Sequence, residues 1–579
     1  MTGKLFSMEA LLVLVYIGYL VPMYVGSTQG EKDSLPGAYY KLLHEALLSR
    51  LKTGDFATHD PGAMLAAAVL FTQKHPDNSA YRQQQWLERA LALGDLFAQH
   101  SEEDANPNKQ DYEWDIHFWL DTYRLLRDQL GQAREQRWHR ELEKISTWFA
   151  EHSAARADFP RYQGPYIRTS TNHLAIFASI TYLAGKVLDK PEWVQLGARV
   201  LRRLALEEQT HDGYWGEFTD NGPATGYNYF TLTCVALYYE HSGDKDVLPA
   251  LERAKDFHIH FTWPDGTPVE TINGRNRYWP VNSWGHFAFS HWPEGRRYAA
   301  FLTKFFQPTN ISSRDLGRLA QNTLYYHSGN VGVIPLEQPE FSYRMKRVPA
   351  GIFKRGPWIV CMSGLTDVPV ESQFTLERQG HISIYHLSSG LIVTGAGSKH
   401  QPELATFLER RKDAPRFLPL NTALRSESDR WRLGLGYSTF FTECAVPFPR
   451  DKQLDIEIRY VETGRGRFAG ADMNLQLCLK AGHMLETDQG VVQLGTNNYS
   501  VSWTNSPGWI RHRNWELKVP KGAQLRWPIF PFNPYRNGPE TELNRAIGLL
   551  TIPLVLTDED KTLRWRRGSF QLSLICTHP

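Results

Sequence analysis

Residues 168–188 read RTSTNHLAIFASITYLAGKVL, polar over the first six positions and almost wholly apolar after them. A surface helix carries its polar groups on one face along its whole length. Here they gather at one end, which predicts an apolar helix whose start opens into a cleft. Asn172 and His173 stand side by side at that start.

The helical signature recurs on both sides of this segment. AYYKLLHEALLSRLK, GAMLAAAVLFTQK, QQWLERALALGDLFAQH, IHFWLDTYRLLRDQL and RELEKISTWFAEHSA precede it, and EWVQLGARVLRRLALEE, NYFTLTCVALYYEHSG and RRYAAFLTKFF follow. Apolar residues recur three and four apart, and the breaks hold Asp, Pro, Gly or Asn. The helices come in pairs without strict repetition. That predicts a ring of helical hairpins, an α/α toroid, whose helix ends and loops build a central cleft. An open helical solenoid shares the local pattern, but its usual fixed repeat is absent. Residues 312–330, SSRDLGRLAQNTLYYHSGN, are read as a final helix and a link.

After about residue 330 the hydrophobic period falls to two. GHISIYHLSSGLIVTGAG, LDIEIRYVETG, NLQLCLKAG, IGLLTIPLVLT and SFQLSLICT alternate between Gly and Asn turns. In LDIEIRY, Leu454, Ile456, Ile458 and Tyr460 fall on one face, and Asp455, Glu457 and Arg459 on the other. The fold class expected is therefore multidomain α+β, with an N-terminal α/α toroid over 28–329 and a C-terminal antiparallel β-sandwich over 330–579.

Composition narrows the function. The 579 residues favour more than one domain, and 42% hydrophobic content is that of a globular protein. The 64 basic and 62 acidic residues leave a net charge of +2, so no global field draws nucleic acid. An anionic ligand must be held by a local cluster. The five cysteines are scattered without a C-x-x-C pair, which excludes a common zinc framework and a redox motif. At the N-terminus, Lys4 precedes an apolar run from about Ala10 to Val25, then Gly26 and Ser27. Residues 1–27 read as a secretory signal peptide, and an uncleaved membrane anchor is the alternative. Either reading puts the body of the protein outside the cytoplasm, secreted or periplasmic, with no later membrane span.

Several polar clusters carry possible chemistry. Asn172 and His173 can donate to a carboxylate or accept from a hydroxyl, although Thr171 or Asn172 can equally cap the helix. Residues 211–239, HDGYWGEFTDNGPATGYNYFTLTCVALYY, form a long Gly- and Asp-rich loop running into a helix that opens with Tyr227 and Tyr229. Loops of that length in compact domains are commonly functional, and a tyrosine at a cleft can give or take a proton. Aromatic packing is the plainer fate for either tyrosine. Trp215 suits a stacking platform or a plug in the ring. Residues 270–292 concentrate Arg275, Arg277, Trp279, Asn282, Trp284 and His286. Charge pairing, hydrogen bonding and ring stacking together are what an acidic sugar requires. Lys399 and His400 sit among small residues at a strand end, where His400 can reach the cleft from the sheet domain. His381 and His386 offer a weak case for a metal site. Glu217, Asp220, Asp265, Glu270, Asp111, Glu113 and Asp115 allow a paired-carboxylate glycosidase, without marking which pair.

An Asn-His pair at one helix start, followed by DG…E…GYNY at another, resembles the toroid-plus-sandwich polysaccharide lyases, with heparinase II/III-like enzymes and oligoalginate lyases nearest. The resemblance follows the domain order across nearly the whole mature chain, while its local motifs are short. It implies that Asn172 or His173 neutralises a uronate carboxylate and that Tyr227, directly after Gly226, is the catalytic acid, with Tyr229 the alternative. Ten positions separate Glu217 from Tyr227, a departure from the family's compact loop. His400 is a loose match to a sheet-domain histidine.

The chemistry expected from this resemblance is β-elimination on a uronic-acid-containing glycan. Asn172, assisted by Arg168 or Arg277, offsets the carboxylate charge. His173 or a deprotonated tyrosine takes the C5 proton, and Tyr227 protonates the leaving O4. Substrate contacts fall to Trp215, Arg275, Asn282, His286 and His400. The partner is an acidic polysaccharide or oligosaccharide, and no cofactor or catalytic metal is expected. Two rivals stand beside it: a glycoside hydrolase on the same scaffold, and a non-catalytic glycan-binding surface protein.

Overall fold

A computed structural model describes residues 33–577 except 55–59, 105–111, 160–169, 218–221, 276–279, 367–371, 376–379, 398, 412, 465, 496–500 and 561–564. The N-terminal signal segment and Arg168, Arg277, Trp279, Asp111 and Asp220 lie outside the described residues.

Two kinds of helix alternate along the first half of the chain. The odd-numbered ones bury a single stripe: α1 (Leu35–Thr53), α3 (Gln84–Glu103), α5 (Gln132–Ala154), α7 (Pro191–Arg203), α9 (Leu248–His260) and α11 (Pro293–Thr303). In α5 the stripe is Trp138, Leu142, Ile145 and Phe149, spaced at helical period. The even-numbered helices are α2 (Pro61–Thr72), α4 (Ile116–Leu126), α6 (Ser170–Val187), α8 (Thr225–Ser242), the single turn α10 (His286–Phe289) and α12 (Ser313–Tyr325). Pro61 through Phe71 are all buried in α2, and α6 and α8 are nearly as enclosed. A helix apolar all round must have neighbours on every side.

Those neighbours are the other even-numbered helices. α2 packs on α4, α4 on α6, α6 on α8, α8 on α10, α10 on α12, and α12 returns to α2. The six form a closed inner ring with the odd-numbered helices outside. Closure is tight: a Cβ on Gly62 of α2 would overlap the Ser313 carbonyl of α12, so only glycine lets the two backbones meet. The open-solenoid alternative is thereby ruled out.

Three buried imidazoles link these helices. His117 of α4 lies 3.1 Å from the Ser179 hydroxyl of α6, and His258 of α9 lies 3.0 Å from the Asn228 amide of α8. His286 of α10 lies 3.0 Å from the Tyr39 hydroxyl of α1. Burial pushes His117 down to about 4, His258 to about 3 and His286 to about 4, so all three are neutral at pH 7.

The second half is antiparallel throughout its ladders, from β1 (Glu340–Arg344) to β20 (Trp565–Cys576). Alternation sets the faces as expected. In β10 (Gln453–Glu462), Leu454, Ile456, Ile458 and Tyr460 are buried while the residues between them are not. The strands join into one curled network of pairings whose inner faces enclose a large core that includes Trp431, Trp515 and Trp527. A β-sandwich in packing is thus nearly continuous in hydrogen bonding. A separate two-residue pair, β16 (Phe532–Asn533) with β17 (Gly538–Pro539), carries Tyr535 at its turn. No helix among the described residues is long and apolar enough to cross a membrane.

A third core joins the halves. Tyr214, Phe257, Phe261 and Trp263 of the helical part pack with Phe341, Ile352, Ile359 and Tyr385 of the sheet. Trp263 stacks on Tyr385 at 5.5 Å. Glu270 locks the seam: its carboxylate accepts from Trp263 Nε1 (2.8 Å), the Thr394 hydroxyl (3.0 Å) and the Gly395 amide (3.1 Å). Asp212 accepts the amides of Lys346 (2.6 Å) and Arg347 (3.0 Å).

Trp263→Ala should lower stability by about 3–5 kcal/mol, the usual cost of deleting a buried aromatic, and denaturant unfolding should register it. Acid should destabilise the ring for a separate reason. The unfolded chain takes up protons near pH 6.5 that the three buried imidazoles refuse until about pH 3–4, so stability is lost as pH falls through that window. Thermal midpoints measured between pH 7 and 4.5 should fall, and His286→Gln should make the slope shallower.

Candidate active site

Helices in successive hairpins alternate in direction, so all the inner helices start at the same mouth of the ring. Contacts among their first turns show this. Ser313 at the start of α12 bonds Asp60, the N-cap of α2, and Arg314 reaches Asp115, the N-cap of α4, at 3.3 Å. The positive ends of the helix dipoles therefore face one rim, a setting that favours anions.

Asn172 and His173 lie in the first turn of α6. His173 Nδ1 is 2.9 Å from a carboxylate oxygen of Glu113. A carboxylate accepts, so in the neutral ring Nδ1 carries the hydrogen and Nε2 the lone pair. Asn172 is only 2% exposed, and among the described residues neither its amide nitrogen nor its oxygen has a hydrogen-bond partner. Burying such a group unpaired costs about 1–3 kcal/mol.

Tyr227 occupies the first turn of α8, the next helix round the ring. Between it and His173 lies a floor of aromatic rings. Trp114 meets His173 edge-on at 5.9 Å and Phe230 at 4.9 Å. Phe230 in turn meets Trp284 at 4.4 Å and Tyr227 at 5.7 Å. Two cations flank this floor: Arg275 lies 4.8 Å over the Tyr227 ring and Arg318 lies 4.1 Å over Trp284. Burial pushes Arg318 down to about 10, which leaves it charged at neutral pH.

Tyr227 also meets the sheet domain, its hydroxyl 3.2 Å from that of Tyr535. Burial raises the phenol well above its ordinary value, and the opposing effect of Arg275 does not cancel this. The phenol therefore holds its proton at neutral pH. Much of the Arg275 charge is taken by Glu217, which it grips in a two-pronged pair, Nε to oxygen at 2.5 Å.

Other residues expected at the site take different places. Tyr229, 1% exposed, hydrogen-bonds Tyr298 at 2.6 Å and stacks on His258 at 3.7 Å, inside the wall of the ring. Trp215 is 3% exposed; its indole donates to the Leu204 carbonyl at 2.7 Å and its amide to Asn228 at 2.9 Å. It is a wall element rather than a platform. His286 is wholly buried between Tyr39 and the Asn282 carbonyl, 2.7 Å from Nε2, so it cannot meet a ligand. Asn282 accepts the Trp284 amide at 2.7 Å and so positions that ring. His400, exposed and at a positive φ of 65°, stands 5.2 Å from Phe532, the residue that begins the hairpin of Tyr535. His381 and His386 are buried within the sheet domain, Nδ1 of the first 2.8 Å from the Ser363 carbonyl and Nδ1 of the second 3.0 Å from the Ser388 hydroxyl.

The described carboxylates of the glycosidase reading each have a protein partner. Glu217 holds Arg275, Glu270 locks the domain seam, Asp265 caps Thr267, Asp115 meets Arg314 and Glu113 orients His173. The sequence reading missed the Glu113–His173 pairing, the Trp114–Phe230 floor, Arg318 and Tyr535. EWD at 113–115 was visible only as a carboxylate run, and nothing in the PYRNG turn distinguishes Tyr535.

No protein-family model matches the chain, and no curated protein matches it in sequence. Among solved structures it is similar to the chondroitin AC lyase of Streptomyces coelicolor A3 at 11% identity and a TM-score of 0.49, covering 96% of this chain and 81% of that one. It is similar to a Paenibacillus xanthan lyase at 9% identity and 0.49, over 95% and 54% of the two chains. The heparan sulfate lyase of Pedobacter heparinus overlaps at 11% identity and 0.46, over 89% and 75%. Likeness this distant does not carry residue roles, which must rest on the side chains themselves.

Asn172→Ala should leave the protein as stable or more so, because it removes two buried groups that lack partners. Thermal unfolding checks this, and a loss above about 2 kcal/mol would mean that the amide has a structural partner.

Proposed function

We propose that this protein is a polysaccharide lyase that cleaves a uronic-acid-containing glycan by β-elimination. The observation that carries this reading is the buried Asn172 amide, without a hydrogen-bond partner among the described residues, beside a histidine already oriented by a carboxylate. An amide nitrogen and a helix start can both donate to a uronate carboxylate. As that charge is offset, the adjacent C5–H becomes acidic enough to ionise.

Each group has one task. Asn172 holds the carboxylate and stabilises the enolate-like charge that builds on it; a preorganised donor of this kind contributes about 3–4 kcal/mol. His173 Nε2 takes the C5 proton while Glu113 stabilises the imidazolium that results. The C5–H electron pair becomes the C4=C5 double bond, and the C4–O4 pair departs on O4. Tyr227, kept protonated by burial, donates to that oxygen. Proton return from His173 to the Tyr227 phenolate through solvent closes the cycle. The products are an unsaturated uronate end and a new free hydroxyl on the leaving chain. The balance needs no redox cofactor and no metal. Trp114, the half-buried ring of the floor, offers a surface for a sugar ring, and Arg318 supplies local positive charge. Arg168 and Arg277 remain candidates to assist Asn172.

An exported protein suits this reading, since such polymers lie outside the cell. The apolar N-terminal run, read as a signal peptide, fits it.

The decisive measurement incubates the purified protein with a panel of uronate polymers and follows ultraviolet absorbance together with chain length. Shortening with a new conjugated absorbance is expected. Shortening without it would identify a hydrolase, and retention without shortening a binding protein. Tyr227→Phe should lower kcat by about 10²–10⁴ with KM little changed. Asn172→Ala should lower kcat/KM by about 10²–10³.

A further inference from the structure

Because the inner helices run parallel, their C-terminal ends gather at the mouth opposite the site just described. Three metal-ligating side chains converge there. Glu240 lies in the last turn of α8, His291 two residues beyond α10, and His327 two residues beyond α12. His327 Nε2 is 3.0 and 2.9 Å from the two Glu240 oxygens, and His291 Nε2 is 3.1 Å from Glu240 Oε1. One ligand atom from each of the three lies within 4.8 Å of the others.

The contact between His291 and Glu240 is close without being a hydrogen bond. The buried Nε2 of His291 is near the carboxylate, yet its geometry leaves it without a hydrogen-bond partner. The two imidazole rings lie 4.3 Å apart, tilted by 39°.

We propose that this cluster is a zinc-binding site, with Glu240, His291 and His327 as its protein ligands. Two imidazoles and one carboxylate form a donor set that zinc favours, whereas calcium and magnesium call for oxygen. Bonds of about 2.0–2.1 Å in a tetrahedron place neighbouring ligands about 3.3 Å apart, so each Glu240–histidine pair need open by only a few tenths of an ångström to admit an ion. Glu240 and His291 side chains are 10% and 11% exposed, but His327 is 44% exposed. Entry is therefore from the His327 side, where water completes the fourth position.

The surroundings already hold the ligands in place. The His327 amide donates to the Ser290 hydroxyl at 2.9 Å, tying the two histidine segments together. Arg296 donates to the His327 carbonyl at 3.0 Å, and Tyr239 meets the His291 ring edge-on at 5.0 Å. The bridge would join α8, α10 and α12 where the ring is weakest, since α10 is a single turn of four residues. Zinc there braces the ring without touching the cleft.

The test uses the full purified chain, stripped with chelator and given zinc chloride alone. Roughly equimolar zinc should survive dialysis, and the thermal midpoint should rise with zinc but not with magnesium or calcium chloride. Glu240→Gln and His291→Gln should each weaken zinc binding in calorimetric titration by more than about 100-fold, the upper range for loss of a merely supporting contact. His327→Gln, at the most exposed ligand, serves if either of those fails to fold. Cobalt substitution gives an independent readout, a tetrahedral visible spectrum that the variants lose. Absence of retained zinc, or equal zinc binding in the variants, would overturn the proposal and leave an ordinary imidazole–carboxylate cluster.

Discussion

A helix that is apolar on every side cannot rest on a surface. This constraint governs the helical half of the protein, because α2, α6 and α8 have almost no face to give to water. Each needs neighbours on both flanks, and the shortest arrangement that supplies them is a closed ring. Closure depends on backbone contact between the first and last inner helices, which Gly62 permits by having no side chain. Once the ring shuts, alternation of hairpins leaves no freedom in polarity. The starts of the inner helices come to one mouth and their ends to the other.

The candidate site follows from that polarity. Residues distant in sequence, Glu113 and His173, or Phe230 and Trp284, become neighbours only because they lie at or near the starts of adjacent inner helices. The positive helix ends and Arg318 favour an anion there. A floor of aromatic rings runs between the acid and base candidates. Against this background the orphaned Asn172 amide is a local expense in stability that binding would offset.

The sheet domain contributes to the same place rather than standing apart. Its seam with the ring is a core in its own right, clamped by Glu270 and Asp212 through hydrogen bonds that cross the boundary. A rigid seam lets a turn such as the one bearing Tyr535 reach a fixed position beside Tyr227. It also explains why carboxylates that look catalytic in a list are occupied: Glu270 holds the domains together, and Glu217 neutralises a buried arginine.

Local order was legible in the sequence. Apolar spacing of three and four marked the helices, alternation marked strands such as β10, and the polar start of residues 168–188 marked a helix opening into a cleft. Asn172, His173 and Tyr227 were visible as helix-start residues because first-turn chemistry is local. Ring closure, the orientation of His173 by Glu113, the burial of Tyr229, Trp215 and His286, and the meeting of Tyr227 with Tyr535 were decided only by tertiary structure. The physical reason is that periodicity reports which face of an element is apolar, whereas burial and partnership depend on what another part of the chain brings to that face.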